Sequence, residues 1–122
     1  MVYIVKGEPQ SLKRHRTGKY GTYNPSAEKQ KQFASSFDYE GEPLTDYLSM
    51  EMIFVFERPK SHAKLSNPPK YPKRKDIDNL IKFVLDALNG KLYEDDCQVV
   101  SIKATKIYGD EAQTTIIFNL CL

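Results

Sequence analysis

Two groups of acidic residues in this chain have a spacing that could hold a cation: Asp76-x-Asp78 and the run Glu94-Asp95-Asp96. Inside a helix, residues two apart point about 200° away from each other and could not share an ion. In an extended segment leading into a helix they fall on one side, because an extended chain repeats every second residue. Pro72 and the basic run before Asp76 favour such an extended lead-in, with Asp78 as the helix N-cap. Lys82 then sits one turn further along on the same helical face as Asp78. Asn79, Lys82 and Asp86 form a polar stripe that presents Asp78, Asn79 and Lys82 towards a ligand. Adjacent carboxylates such as Asp95 and Asp96 repel one another unless cations neutralise them. Hard oxygen donors suit Mg²⁺, with Mn²⁺ as a substitute, and Mg²⁺ characteristically bridges to substrate phosphates. Carboxylates beside a lysine are a set suited to phosphodiester hydrolysis, in which metals activate water and lysine meets the scissile phosphate or leaving oxygen.

Each residue taken singly also has a structural explanation. Asp78 can act as a cap alone, Asp95-Asp96 can make a turn, and Lys82 can pair with Asp86 on the surface. The set gains weight from its surroundings. Residues 58–75 hold seven Lys/Arg and no acid, leaving 11 basic against 16 acidic residues elsewhere although the whole chain carries only +2. A second acid-free basic stretch contains Lys13, Arg14, His15, Arg16 and Lys19. Positive charge segregated beside an acidic cluster fits a polyanionic partner and a cation-holding site. The candidate DNA contacts are Lys13, Arg14, Arg16, Lys19, Lys70, Lys73, Arg74, Lys75 and Asn79. These features read as a metal-dependent DNA nuclease; a non-catalytic nucleic-acid-binding module competes with it, and a metal nuclease for flaps or single strands is a further reading. A pure binder gains nothing from carboxylates facing DNA. His15 and His62 have no partners for a triad or a zinc site, and Cys97 lies among acids that disfavour a thiolate.

The elements that would position these residues follow from pattern. At 122 residues the chain is one domain, 1–122, of ordinary globular composition. Its longest apolar run, Met52 to Phe56, is far short of a membrane span, and no export leader is seen at the N-terminus. Cys97 and Cys121 make no disulfide framework, which fits a reducing, cytoplasmic setting. A first strand is expected over 2–8, and a basic, turn-rich loop over 9–23. Asn24-Pro25 then reads as an N-cap and first helical residue, opening a polar helix to about Phe37. Between Tyr47 and Phe56, Leu48, Met50, Met52, Phe54 and Phe56 alternate on one face of a long strand. Residues 58–75, with four prolines, are expected to lack regular structure and to be flexible without a ligand. The second helix runs from Asp78 to an Asn89-Gly90 stop, with Ile81, Val84, Leu85 and Leu88 facing the core. Two strands, about 98–108 and 113–121, close a β-α-β-α-β-β chain. The fold class is α+β, in two layers: a roughly four-stranded mixed sheet with two helices on one face.

From Lys75 to Val99 the sequence KDIDNLIKFVLDALNGKLYEDDCQV closely resembles the RusA family of Holliday junction resolvases. The resemblance lies in an Asp-x-Asp-Asn-x-x-Lys helix start, an Asp-Ala-Leu-Asn helix end and an Asp-Asp-x-Gln-Val strand. Gly7-Glu8-Pro9, Lys13 to Arg16 and Tyr23-Asn24-Pro25 are similar to the family's N-terminal pattern. The resemblance implies a homodimeric, Mg²⁺-dependent endonuclease that makes paired nicks in four-way junctions. It assigns metal binding to Asp76, Asp78 and Asp96, with Asp95 adjacent and able to share, and an essential catalytic role to Lys82. Of the pair, Asp96 is the first choice, because strand alternation lets only one point squarely at a metal. Tyr93 stands where many relatives carry tryptophan. Leu80, Phe83 and Ala87 lie off the expected core stripe and form a candidate dimer patch.

Overall fold

The computed structural model describes residues 1–13, 16–18 and 21–122 of the chain. Strand β1 (Val2–Lys6) is followed by a short hairpin, β2 (Arg16–Gly18) and β3 (Gly21–Tyr23), then helix α1 (Ala27–Ser36) and the long strand β4 (Tyr47–Glu57). Helix α2 (Ile77–Leu88), strand β5 (Val99–Gly109) and strand β6 (Gln113–Cys121) complete the chain. The main sheet has the order β1-β6-β4-β5, with β4 and β5 parallel and the other pairs antiparallel. This is the expected α+β, four-stranded mixed sheet. The hairpin β2-β3 within the loop over 9–23 is an addition to it.

Strand β4 forms because its apolar residues repeat every second position. Leu48, Met50, Met52, Phe54 and Phe56 are all buried, as the alternation requires. With Ile116 and Phe118 of β6 and Val5 of β1, they form the sheet's half of the core. The helices supply the other half, so both cover the same face.

Two boundaries and one face differ from expectation. Helix α1 is capped by Ser26, not Asn24; Asn24 Oδ1 accepts from the Ser26 N–H at 2.9 Å, so Asn24 and Pro25 make the turn before the helix. Ser26 Oγ in turn accepts from the Lys13 N–H at 3.0 Å and ties the basic loop to α1. Helix α2 is capped by Asp76, not Asp78, which lies in its first turn. The buried side chains of α2 are Leu80, Phe83, Val84, Ala87 and Leu88, while Ile81 and Leu85 are half-buried. The stripe is therefore rotated towards α1, whose Phe33 meets Phe83 edge to face at 5.9 Å. Gln30 also donates from Nε2 to the Phe83 carbonyl at 3.4 Å. Leu80, Phe83 and Ala87 are core, and the dimer patch assigned to them is withdrawn.

The segment 58–75 contains one piece of regular structure, a 3₁₀ turn over Lys60–Lys64, contrary to expectation. It packs on the end of β5 around Tyr108. The Arg58 guanidinium lies over that ring at 5.1 Å and donates from Nη1 to the Pro69 carbonyl at 2.8 Å, while the His62 ring meets Tyr108 edge-on at 5.2 Å. Pro72 is buried. Among the described residues, no helix is long and apolar enough to cross a membrane.

Candidate active site

Helix α2 lies between the parallel strands β4 and β5 in the chain, and its polar side carries the first half of the site. At about 100° per residue, Asp78, Lys82, Asp86 and Asn79 share the arc opposite the buried one. Lys82 is 62% exposed, and its Nζ stands 3.9 Å from Asp86 Oδ2. Asp76 and Asp78 are exposed at the helix start. Asp76 makes no side-chain cap hydrogen bond, but its carbonyl accepts from the N–H groups of Asn79 and Leu80, both at 3.1 Å. The first turn of α2 is joined to the basic N-terminal loop, because the Asn79 carbonyl accepts from the Leu12 N–H at 3.0 Å.

The second half is brought alongside α2 by a short return. Asn89 closes the helix, and Gly90, at φ 78°, takes the left-handed conformation that reverses the chain. Tyr93 is fully buried and donates to the Leu85 carbonyl at 2.7 Å, fixing the return against the last turns of α2. Burial pushes this phenol well above its ordinary pKa, and the nearby charges of Asp96, Asp86 and Asp95 push the same way. Next comes a single 3₁₀ turn, Asp96–Gln98, with Asp95 and Gln98 forming a capping box. The buried Gln98 accepts from the Asp95 N–H at 2.9 Å and donates to the Leu44 and Asp46 carbonyls at 2.8 and 3.0 Å.

This turn gives the two adjacent aspartates different tasks. The Asp95 carboxylate serves the cap, and its pKa is lowered, chiefly by a hydrogen bond from the Cys97 thiol. Asp96 is half-buried, and its pKa is raised by partial burial, then by the hydrogen bond with and charge of Asp95, then by the charge of Asp86; Lys82 opposes them. The Cys97 thiol is itself raised, mainly by its bond to Asp95, which leaves it a poor nucleophile.

Asp86 was not among the expected site residues. Its position four residues after Lys82 was the available signal, but that spacing is equally that of a surface ion pair. The carboxylates of Asp76 and Asp78 stay at the start of the helix, roughly 6–9 Å along its axis from Lys82. Among the described residues, no three His, Cys, Asp or Glu side chains stand together closely enough to hold a metal ion. The donors fit a hard divalent cation in kind, being carboxylate oxygens, although they are not gathered into one cluster.

Of the expected DNA contacts, Lys13, Lys70, Lys73 and Arg74 are exposed, and Asn79 is half-buried. Lys75 is half-buried, and its Nζ donates to the Pro9 carbonyl at 2.7 Å. Arg14 and Lys19 lie outside the described residues, and Arg16 belongs to β2.

The family model described as "Endodeoxyribonuclease RusA" matches residues 6–118. The chain is also similar to the "Uncharacterized protein YqaN" of Bacillus subtilis (strain 168), with 31% identity over 136 residues, covering 96% of this chain and 94% of that protein.

Proposed function

As the chain belongs to the RusA family of endodeoxyribonucleases, we propose that it resolves four-way DNA junctions by paired symmetric nicks, as a Mg²⁺-dependent homodimer in a cytoplasmic setting. Family membership makes it an enzyme that hydrolyses DNA, a Holliday junction resolvase, in a family that is generally metal-dependent. What supports this reading is the return that brings the turn carrying Asp96 back against α2, the helix whose polar side bears the Lys82–Asp86 pair. The first turn of the same helix is joined to the N-terminal basic loop.

In this reading Asp76, Asp78 and Asp96 hold the metal, Asp95 is the adjacent carboxylate able to share, and Mn²⁺ can substitute for Mg²⁺. The bound cation would supply Lewis-acid charge that activates the attacking water and offsets charge on the phosphate. Lys82 meets the scissile phosphate or the leaving oxygen, and Asp86 keeps its ammonium in place. Lys13, Lys70, Lys73 and Arg74 neutralise backbone phosphates, with Arg14, Arg16 and Lys19 assigned to the same task from sequence. The segment 58–75 is the flexible arm that settles on DNA.

The deciding experiment incubates the protein and Mg²⁺ with a labelled mobile four-way junction beside matched duplex and flap substrates. Symmetric nicks confined to the junction are expected. Preferential flap cutting would move the activity to another branched substrate, and binding without any cutting would leave only a binding module.

A further inference from the structure

Phe56 and Tyr108 are partners in the register of the parallel strands β4 and β5, so their rings stand side by side on one face of the sheet. Pro59 and the buried Pro72, both from the segment 58–75, come to the same place, and a cavity of about 410 Å³ lies between them. Small-molecule sites are typically about 300–1,000 Å³. The walls are apolar, and charge is gathered at the rim. The exposed Arg74 lines the cavity, as does Lys75, whose Nζ lies 5.7 Å from the centre of the Phe56 ring. Glu8 Oε1 stands 3.7 Å from that Nζ. Glu8 is carried there by Gly7, at φ 112°, whose N–H donates at 3.1 Å to the carbonyl of Ala112, a further wall residue. Gly7-Glu8-Pro9 thus has a defined position but no task in the phosphodiester chemistry proposed above.

A ligand that uses all of this has a flat apolar body, an N–H donor for Glu8 and negative charge for Arg74. A simple anion leaves the rings and Glu8 unused, and a polyamine is repelled by Arg74 and Lys75. A nucleobase with its phosphate has all three: bases stack on aromatic rings, their amino groups donate to carboxylates, and arginine pairs with phosphate. Lys75 directly precedes Asp76, so the cavity adjoins the start of α2, where Asp76 and Asp78 are exposed. In a continuous duplex, extruding a base costs its stacking and its pairing; where the stack is interrupted the cost is smaller. We propose that the cavity takes one nucleobase extruded at the branch point of the DNA. The base lies against Phe56 and Tyr108, its amino group meets Glu8, and its phosphate meets Arg74. The cavity thereby favours branched over continuous DNA. This rests on the reading of the chain as a nuclease of four-way junctions.

The test uses an immobile four-way junction without Mg²⁺, so that the DNA stays intact, and places a single abasic site in turn at each position flanking the branch point. An abasic site removes the partner of the base opposite and lowers the cost of extruding that base. For the parent protein, one position should tighten binding about tenfold when the freed base carries an amino group, and by less when it is thymine. Removing the freed base as well should cancel the gain. Ala112→Phe fills the cavity from a half-buried position and leaves the Gly7 hydrogen bond to the main chain in place. It should lose the gain while keeping its melting temperature, its salt slope and its affinity for plain duplex to within about twofold. Glu8→Gln should keep the gain but lose the discrimination against thymine, because an amide can also donate to a thymine carbonyl. If Ala112→Phe does not fold, Glu8→Gln carries the test, since the Glu8 side chain is exposed. Adenosine monophosphate alone should bind weakly and be displaced by the junction.

An undiminished gain in folded Ala112→Phe, or unchanged discrimination against thymine in Glu8→Gln, would put the base elsewhere and overturn the proposal. It would also be overturned if no abasic position tightened binding by a parent protein that still prefers junctions and, given Mg²⁺, nicks them. Tight binding of adenosine monophosphate that the junction does not displace would make the cavity a site for a free nucleotide, against the proposal. A parent protein that neither prefers nor nicks junctions would overturn the junction reading, and the proposal with it.

Discussion

Asp78 was expected to serve two purposes, as helix cap and as ligand, and it has only the second available to it. With the cap at Asp76 and Asp78 exposed in the first turn, Asp78→Asn removes a charge without removing a structural bond. Cleavage should fall by at least two orders of magnitude, while junction affinity and melting temperature stay close to the parent. Lys82→Ala should behave similarly, because one exposed lysine is a small part of a multi-lysine interface, whereas its pairing with Asp86 holds it on the polar side of α2. Nicking rate and gel-shift affinity measured together check both variants. Wild-type cutting by Asp78→Asn would sink the site assignment, and an equal loss of cutting and binding in Lys82→Ala would make Lys82 a binding residue.

At the scale of elements, the turn that presents Asp95 and Asp96 depends on Gln98, whose amide joins it to Leu44 and Asp46. Gln98→Ala removes three hydrogen bonds and leaves two carbonyls without this partner. The cost should be about 2–3 kcal/mol, read as a lower urea midpoint, with a cleavage defect that persists where the protein is still folded. An unchanged midpoint would mean that the turn holds without this amide. The segment 58–75 makes a contrasting case. It is anchored at its two ends, by Arg58 on Tyr108 and by Lys75 at Pro9 and Lys106, and carries seven cations, so limited proteolysis should cut its exposed middle quickly in the free protein and slowly on junction DNA. Equal cutting rates in the two states would refute a DNA-settled arm.

These elements were unequally legible in the sequence. Strand β4 could be read residue by residue, because only one face of it meets the helices and its pattern has period two. The length of α2 was legible too, but not its inward face. Leu80, Ile81, Phe83, Val84, Leu85, Ala87 and Leu88 cover so much of the helix that the choice depends on α1, a contact far away in sequence. The cap at Asp76 was hidden because the left-handed residue before it is a lysine, with no glycine to mark the kink. The site motif was visible as spacing, whereas the part played by Asp86 needed the return through Tyr93 to bring Asp96 beside it.

For the whole molecule, the proposed paired nicking asks two cuts of a domain with one carboxylate set. A four-way junction has approximate two-fold symmetry, and one chain with one carboxylate set can cut one strand at a time. A symmetric dimer supplies two sites about the same axis through one self-complementary surface. That surface cannot be Leu80, Phe83 and Ala87, which are buried within the chain against α1 and the sheet. Sedimentation equilibrium at micromolar concentration should report about twice 14.0 kDa for the parent protein. Phe83→Glu should not yield a folded monomer. It places a carboxylate in the core and removes a ring packed on Phe33, at a cost of about 3–5 kcal/mol, enough to abolish cooperative melting in a marginally stable domain. A folded Phe83→Glu monomer would return the dimer contact to α2 and contradict the packing described above. A parent protein that sediments as a monomer while making paired nicks would overturn the dimer and leave sequential cutting by one site.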